Sequence, residues 1–182
     1  MPLKTETIDL LEEHARLDSR LDDLADRVAD EDDVEGAVEE AQRVENHLAG
    51  VQWALDHEEW PDDPSVTLGA LTTGEMAEVR DRTASAREEA KQFGGHGQAE
   101  GAASTFFVAA GVQDAPFVDG DASVDALVPV IANELHPQFT QWLESRVDDL
   151  SSVGNVNATP FAERVAARTS DDTSTSSSPG QS

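Results

Sequence analysis

The sequence contains no cysteine and no long apolar run. Without cysteine the chain has no disulfide, no thiolate nucleophile and no thiolate ligand for a metal. No stretch reaches the roughly 18 apolar residues that a membrane span needs, and the first residues lack the apolar segment of a signal peptide. We therefore expect a soluble cytoplasmic protein with no membrane partner.

Positive charge is also scarce. Twelve basic residues face 38 acidic ones, for a formal net charge of −26, and only Lys4 and Lys91 are lysine. Such a surface repels itself at ordinary ionic strength, whereas in concentrated salt the screening length falls to about 3 Å. Acidic residues spread over every predicted helix are typical of proteins from extremely salt-loving archaea. We therefore predict a halophilic protein, and no contact with nucleic acid, because no window offers a basic patch.

Residues 1–59 carry two helical seams. Between residues 7 and 28 the seam positions alternate in steps of four and three, at Leu10, His14, Leu17, Leu21, Leu24 and Val28. After an acidic turn, a second seam follows the same rule, at Val34, Ala37, Ala41, Val44, Leu48, Val51 and Leu55. Two seams joined by a short polar turn predict an antiparallel, coiled-coil-like helical hairpin.

Residues 60–154 predict a small helical domain. Val66-Thr67-Leu68 is either a small strand or an extended link. Thr72 and Glu75 form a capping box, which opens a helix expected to stop at Gly94. The apolar run at residues 102–112 reads as a buried helix, and two further helices follow.

The second of these further helices begins near Pro137, and the first contains Pro129, which predicts either a kink or a start close to that proline. Residues 155–168 predict one weak helix. From residue 169 the composition is polar and predicts a disordered tail. The expected fold class is therefore all-α: a hairpin, a small helical domain and a disordered C-terminal tail.

No catalytic constellation stands out. The glycine-rich loop at residues 94–97 lacks the lysine and hydroxyl of a phosphate-binding loop, and HExxH is absent. His14 and His47 are expected at a similar height on the two hairpin helices, where Glu13 or Glu45 could join them on a metal. Zinc hairpins and di-iron bundles use fixed i, i+3 or i, i+4 ligand pairs, however, and Glu-x-x-His is absent from both helices. With 38 acids, no carboxylate can be singled out for acid–base work. We predict no enzyme, no metal and no cofactor.

An ordered set of motifs in residues 64–154 resembles the small tail assembly chaperones of tailed viruses. The helix start Leu-Thr-Thr-Gly-Glu at residues 71–75 is followed by the helix Phe-Val-Ala-Ala-Gly-Val at residues 107–112. Asp114-Ala115-Pro116 comes next, and Leu-Ser-Ser-Val-Gly closes the segment at residues 150–154. In that family, a start of the type LT-x-G/A-E, a helix of the type LVAAGVV-DP and a closing LSG occur in this order.

The resemblance implies an all-helical factor that coats a tape-measure protein during tail assembly and recruits tail tube subunits. Such a factor is absent from the finished virion, and the virus would infect a halophilic archaeon. We expect the partner to be bound through apolar faces, with the alternative that each residue belongs to the core. The candidate binding residues are Met76, Val79, Phe106, Phe107, Phe139 and Trp142.

Other classes of function stay open at this point. A structural or adaptor protein, of the virion or the cell, would form homo-oligomers through the hairpin seams. An enzyme would rest only on His14, His47 and the surplus of carboxylates. An inhibitor that mimics DNA would exploit the acidic surface, although a purely electrostatic contact weakens in high salt.

Overall fold

The computed structural model of the chain describes residues 4–30, 34–92, 98–120 and 122–152. Six helices and one three-stranded sheet make up this part of the chain, and most of its residues are helical. The prediction of a mostly helical fold is therefore confirmed. The predicted weak helix at residues 155–168 and the predicted tail from residue 169 lie outside the described residues.

The N-terminal hairpin consists of helix α1 (Leu10–Ala29) and helix α2 (Val34–Leu55). Asp9 caps α1, since its carboxylate accepts a hydrogen bond from the backbone N–H of Glu12 at 3.0 Å. The two helices pack along the predicted seams, although Val34, the first residue of the second seam, is exposed. The buried seam residues are Leu10, Leu17 and Leu24 on α1 and Ala37, Val44 and Val51 on α2.

A small antiparallel sheet adds to the predicted helical fold. Its strands are β1 (Thr5–Asp9), β2 (Ser65–Gly69) and β3 (Val112–Asp114), with β2 in the centre. The hydroxyls of Thr7 and Thr67, which face each other in the β1–β2 register, lie 2.9 Å apart. The sheet joins the residue before α1 to the middle of the chain, so the hairpin is tied to the later helices from its first residue.

Four helices follow β2: α3 (Thr73–Gln92), α4 (Gln98–Gly111), α5 (Val124–Asn133) and α6 (Pro137–Ser152). The predicted capping box opens α3, where the backbone N–H of Glu75 donates to Thr72 Oγ1 at 3.1 Å and that of Thr72 donates to Glu75 Oε2 at 2.7 Å. Pro137 starts α6, as predicted. Pro129 lies inside α5, five residues beyond its first residue.

The hairpin and the later helices share one hydrophobic core. Gly50 of α2 lies so close to the start of α6 that a Cβ there would be 2.5 Å from the carbonyl carbon of Gln138 and 2.6 Å from the nitrogen of Phe139. Residues up to Ser151 form one compact unit. The predicted domain boundary at residues 59 and 60 stays a prediction, and both sides of it contribute to this core.

A buried carboxylate ties α1 to α6. Glu13 is 4% exposed, and it accepts a hydrogen bond from the indole Nε1–H of Trp142 at 3.0 Å. Arg16 donates two more hydrogen bonds to it, at 2.7 and 2.8 Å. Burial by itself raises the pKa of Glu13, but the hydrogen bonds from Arg16 and Trp142 outweigh burial and hold the pKa below its ordinary value. Glu13 therefore stays charged inside the core.

Candidate protein-binding groove

Helix α3 is the most weakly buried of the long helices. Of its side chains from Thr73 to Lys91, only Thr83 is buried, at 7% exposure. The Thr83 hydroxyl donates to the carbonyl of Val79 at 2.8 Å, so its polar group is satisfied within the helix. Met76 and Val79 precede it on the same face and are half-buried. The apolar stripe of α3 therefore lies at the surface instead of in the core.

Helix α4 supplies the facing wall. Val108 and Ala109 point into the core, with 0% and 1% exposure. Phe107 is half-buried, and with Ala103, one turn earlier, it faces α3. A hollow lies between the two helices, and α4 lines it with Ala103 and Phe107.

This hollow, which we call the α3–α4 groove, has a volume of about 360 Å³. The α3–α4 groove is lined mainly by apolar side chains, and Glu144 of α6 lies at one side of it. A second hollow of about 350 Å³ continues from Phe107 and Glu144 along α6. The residues that line the groove are Met76, Val79, Arg80, Thr83, Ala84, Arg87, Ala103, Phe107 and Glu144.

Two arginines that border the groove have no ion-pair partner among the residues that the structure describes. Arg80 and Arg87 lie seven residues apart on α3, or roughly 10 Å along the helix axis. Both are exposed, and neither forms an ion pair with another described residue. Arg82, on another face of the same helix, is paired with both Glu78 and Asp125. In a chain with so few cations, two unpaired arginines beside one apolar groove favour an acidic partner.

Three of the six predicted binding residues meet in the groove: Met76, Val79 and Phe107. Phe106 is half-buried but does not line it. Phe139 and Trp142 are both 0% exposed, and their rings stack with centroids 5.3 Å apart. These two side chains offer no surface to a partner in this structure, because the hairpin covers the face of α6 on which they lie.

The sequence interpretation did not single out Arg80 and Arg87. Their signal is present in the sequence: two of only twelve cations occur with heptad spacing on the helix that carries Met76 and Val79. That spacing places them on one face of a helix.

The metal hypothesis concerned His14 and His47 of the hairpin. Among the residues that the structure describes, no three histidine, aspartate or glutamate side chains are close enough together to hold a metal ion. The pKa of His47 is lowered, first by burial and then by the neighbouring charge of Arg43.

None of the helices in the described part of the chain has the length and apolar character required to cross a bilayer.

No family model, no curated protein and no solved structure matches this chain.

Proposed function

We propose that this protein is a non-enzymatic protein-binding factor that holds an amphipathic helix of its partner in the α3–α4 groove. The observation that carries the proposal is the apolar floor bordered by Arg80 and Arg87. A partner helix would lay apolar side chains on Met76, Val79 and Phe107 and set acidic side chains, seven residues apart, opposite the two arginines.

The charge of the chain supports this choice of partner. At −26 the surface repels another acidic protein almost everywhere. The groove differs, because Arg80 and Arg87 form no ion pair with another residue that the structure describes, although Glu144 lies at one side of the groove. In concentrated salt the arginines would select the partner's orientation, whereas apolar burial would supply most of the affinity.

We propose further that the partner is a tape-measure protein and that the system is the tail assembly of a virus of a halophilic archaeon. The resemblance of residues 64–154 to tail assembly chaperones supports this identity, and every groove residue falls within that segment. The factor would act in the host cytoplasm, recruit tail tube subunits and leave before the virion is complete.

Co-expression with the tape-measure protein in molar KCl tests the proposal. The long partner should become soluble and co-purify with the chain. If it stays insoluble and unbound, the proposal is wrong.

Matched variants test the groove itself. Phe107→Ala should abolish co-purification, whereas Phe106→Ala, a change of the same size in the adjacent residue outside the groove, should retain it. Reversing charge with Arg80→Glu and Arg87→Glu should weaken binding. Arg43→Glu, at an exposed arginine on the hairpin, should leave binding unchanged. Equal effects of groove and control variants would contradict the assignment of the site.

The halophilic setting has its own test. If the acidic surface is an adaptation to salt, the free energy of unfolding should rise as KCl is increased from 0.1 M to molar concentrations, since screening removes self-repulsion. Denaturant titrations at several KCl concentrations measure it. A stability that does not depend on salt would argue against this setting.

A second candidate is a structural or adaptor protein that forms homo-oligomers through the hairpin. The observation in its favour is that the exposed large apolar side chains of the described residues, Leu11, Val34 and Val38, all lie on α1 and α2. Val34 and Val38 are one turn apart and share a face of α2. Light scattering in molar KCl should show a dimer or larger species that Val38→Asp converts to a monomer, and a strictly monomeric wild-type chain would exclude it.

A further inference from the structure

The α3–α4 groove continues into the second hollow, which lies beside α6. The two hollows share Phe107 of α4 and Glu144 of α6. The other residues that line the hollow beside α6 are Gln141, Ser145 and Asp148. A partner helix that rests on Phe107 would therefore have α3 on one side and α6 on the other.

The two sides carry opposite charge. The α3 side presents Arg80 and Arg87, whereas the α6 side presents Glu144 and Asp148, which lie one turn apart on the same helix face. Neither carboxylate forms an ion pair with another described residue, and no described arginine or lysine lines the hollow beside α6. Carboxylates are common in this chain and indicate nothing alone. Here, however, they face two arginines across one apolar floor.

The start of α3 is fixed beside the end of α6. The backbone N–H of Leu71, two residues before α3, donates to Ser151 Oγ at 3.0 Å. The Ser151 hydroxyl donates in turn to the carbonyl of Val147 at 2.7 Å. Val147 and Leu150 are buried, so the core holds this end of α6 in place. At this end the two charged sides therefore have a defined relative position before a partner arrives.

Resting on the proposed function, we infer that the partner helix has an acidic flank and a basic flank on either side of its apolar face, and that these flanks fix its direction in the groove. The acidic flank pairs with Arg80 and Arg87, and the basic flank with Glu144 and Asp148.

The direction follows from geometry. Turning a helix end for end in the groove exchanges its two flanks, so each ion pair becomes a contact between like charges, which disfavours that direction. In molar KCl only charges in close contact keep most of their interaction. The pairs beside the apolar floor therefore discriminate between directions, whereas general repulsion by the acidic surface does not.

Two synthetic helical peptides of about 18 residues, roughly 27 Å long, test the inference. They have the same composition and the same leucine face. The sorted peptide has glutamates along one flank and lysines along the other, whereas each flank of the mixed peptide carries both. In NMR titrations of the full chain in molar KCl, the sorted peptide should bind severalfold more tightly. Equal binding would overturn the inference and leave the proposed function unaffected. If neither peptide binds, the proposed function fails as well.

Spin labels test the direction. A nitroxide at the N-terminus of the sorted peptide should broaden the amide signals at one end of α3, and a nitroxide at its C-terminus those at the other end. A third peptide, with the two flanks exchanged, should lie in the opposite direction and reverse this pattern. An unreversed pattern, or broadening of both ends by each label, would overturn the inference.

One variant and its control locate the basic flank. Asp148→Lys reverses a charge on the α6 side and should weaken binding of the sorted peptide severalfold. Asp23→Lys makes the same change of charge at an exposed aspartate of α1 and should leave binding unchanged. Thermal unfolding checks that both variants fold. Equal binding by the two variants would mean that Asp148 does not face the peptide, and would overturn the inference.

Discussion

Helices α1 and α3 are both 20 residues long, yet they are held in place very differently. Helix α1 buries four side chains almost completely, Leu10, Glu13, Leu17 and Leu24. Helix α3 buries only Thr83 among its described side chains. Each buried leucine contributes about 1.5–3 kcal/mol of apolar transfer free energy, so α1 is part of the core and α3 lies against it.

The difference follows from the side chains on each stripe. On α1 the seam is made of leucines, which reach α2 across the hairpin. On α3 the corresponding positions hold Met76, Val79 and Thr83, followed by alanines, which are too short to fill the space against α4. A helix that leaves an apolar stripe half-covered, with two arginines that pair with no other described residue, is suited to receive a partner, whereas α1 buries its apolar stripe against α2.

Two substitutions of similar size should show the largest contrast. Leu24→Ala on α1 removes a side chain with 0% exposure and should cost about 2–5 kcal/mol of unfolding free energy. Met76→Ala on α3 removes a half-buried side chain and should cost about 1 kcal/mol or less. Denaturant titration in molar KCl measures both. Equal losses would mean that α3 belongs to the core as much as α1 does.

Two glycine-to-alanine substitutions compare a closely packed backbone position in the hairpin with an open position in α4. Gly50→Ala in the hairpin places a Cβ against the backbone of α6 and should cost about 1–3 kcal/mol. Gly101→Ala in α4 meets nothing within 4 Å and should raise stability by up to about 1 kcal/mol, because alanine favours helix over glycine. Thermal unfolding compares them, and a loss at Gly101 equal to that at Gly50 would contradict the close packing inferred between α2 and α6.

Removal of a carboxylate should also lower the free energy of unfolding more in α1 than in α3. Glu13→Ala leaves the buried indole N–H of Trp142 without an acceptor and should cost about 2 kcal/mol. Glu13→Gln keeps an acceptor for Trp142 and should cost less. Glu78→Ala on α3 breaks an exposed pair with Arg82 and should change stability by no more than about 0.5 kcal/mol. If Glu13→Ala is as mild as Glu78→Ala, the buried carboxylate does not tie α1 to α6.

Lowering the pH should lower the free energy of unfolding, because two groups of the hairpin, His47 and Glu13, bind protons less readily in the folded protein. The pKa values of His47 and Glu13 are both lowered by folding, from ordinary values of 6.5 and 4.5. As pH falls, the unfolded chain therefore binds protons before the folded protein does. The stabilisation from these two groups is present above pH 6.5 and is lost as pH falls, first through His47 and at lower pH through Glu13. We expect this loss of stability to be smaller than the losses predicted above for Leu24→Ala, Gly50→Ala and Glu13→Ala. Denaturant titrations from pH 8 to 5 in molar KCl should show a decline that His47→Gln removes, and an unchanged slope in that variant would contradict it.

Parts of the fold follow from the sequence because they depend on local spacing. The leucines at steps of seven in α1, with the matching seam of α2, predict the hairpin, and Thr72 with Glu75 predicts the start of α3. The sheet follows only in part: Val66-Thr67-Leu68, which predicts a small strand or an extended link, lies in β2, whereas β1, β3 and their pairing do not follow from such patterns. Its strands are three to five residues long, β1 has one buried residue, Ile8, and its partner β2 lies about 60 residues further along the chain.

The candidate site was predictable in part for the same reason. Apolar residues at helical spacing on α3 and α4 pointed to Met76, Val79 and Phe107. The spacing could not distinguish them from Phe139 and Trp142, because a periodic pattern identifies an apolar face and does not say what covers it. For α6 the cover is the hairpin, which approaches at Gly50; α3 packs mainly against α4 in the described part of the chain.

Hydrogen exchange along the full chain tests the difference between the two helices most directly. In molar KCl without a partner, the amides of α3 should exchange through local opening, far faster than those of α1, because α3 has little buried area to lose. Addition of the tape-measure protein should then slow exchange in α3 and α4 and leave α1 unchanged. Protection of α3 equal to that of α1 in the free protein would contradict this account.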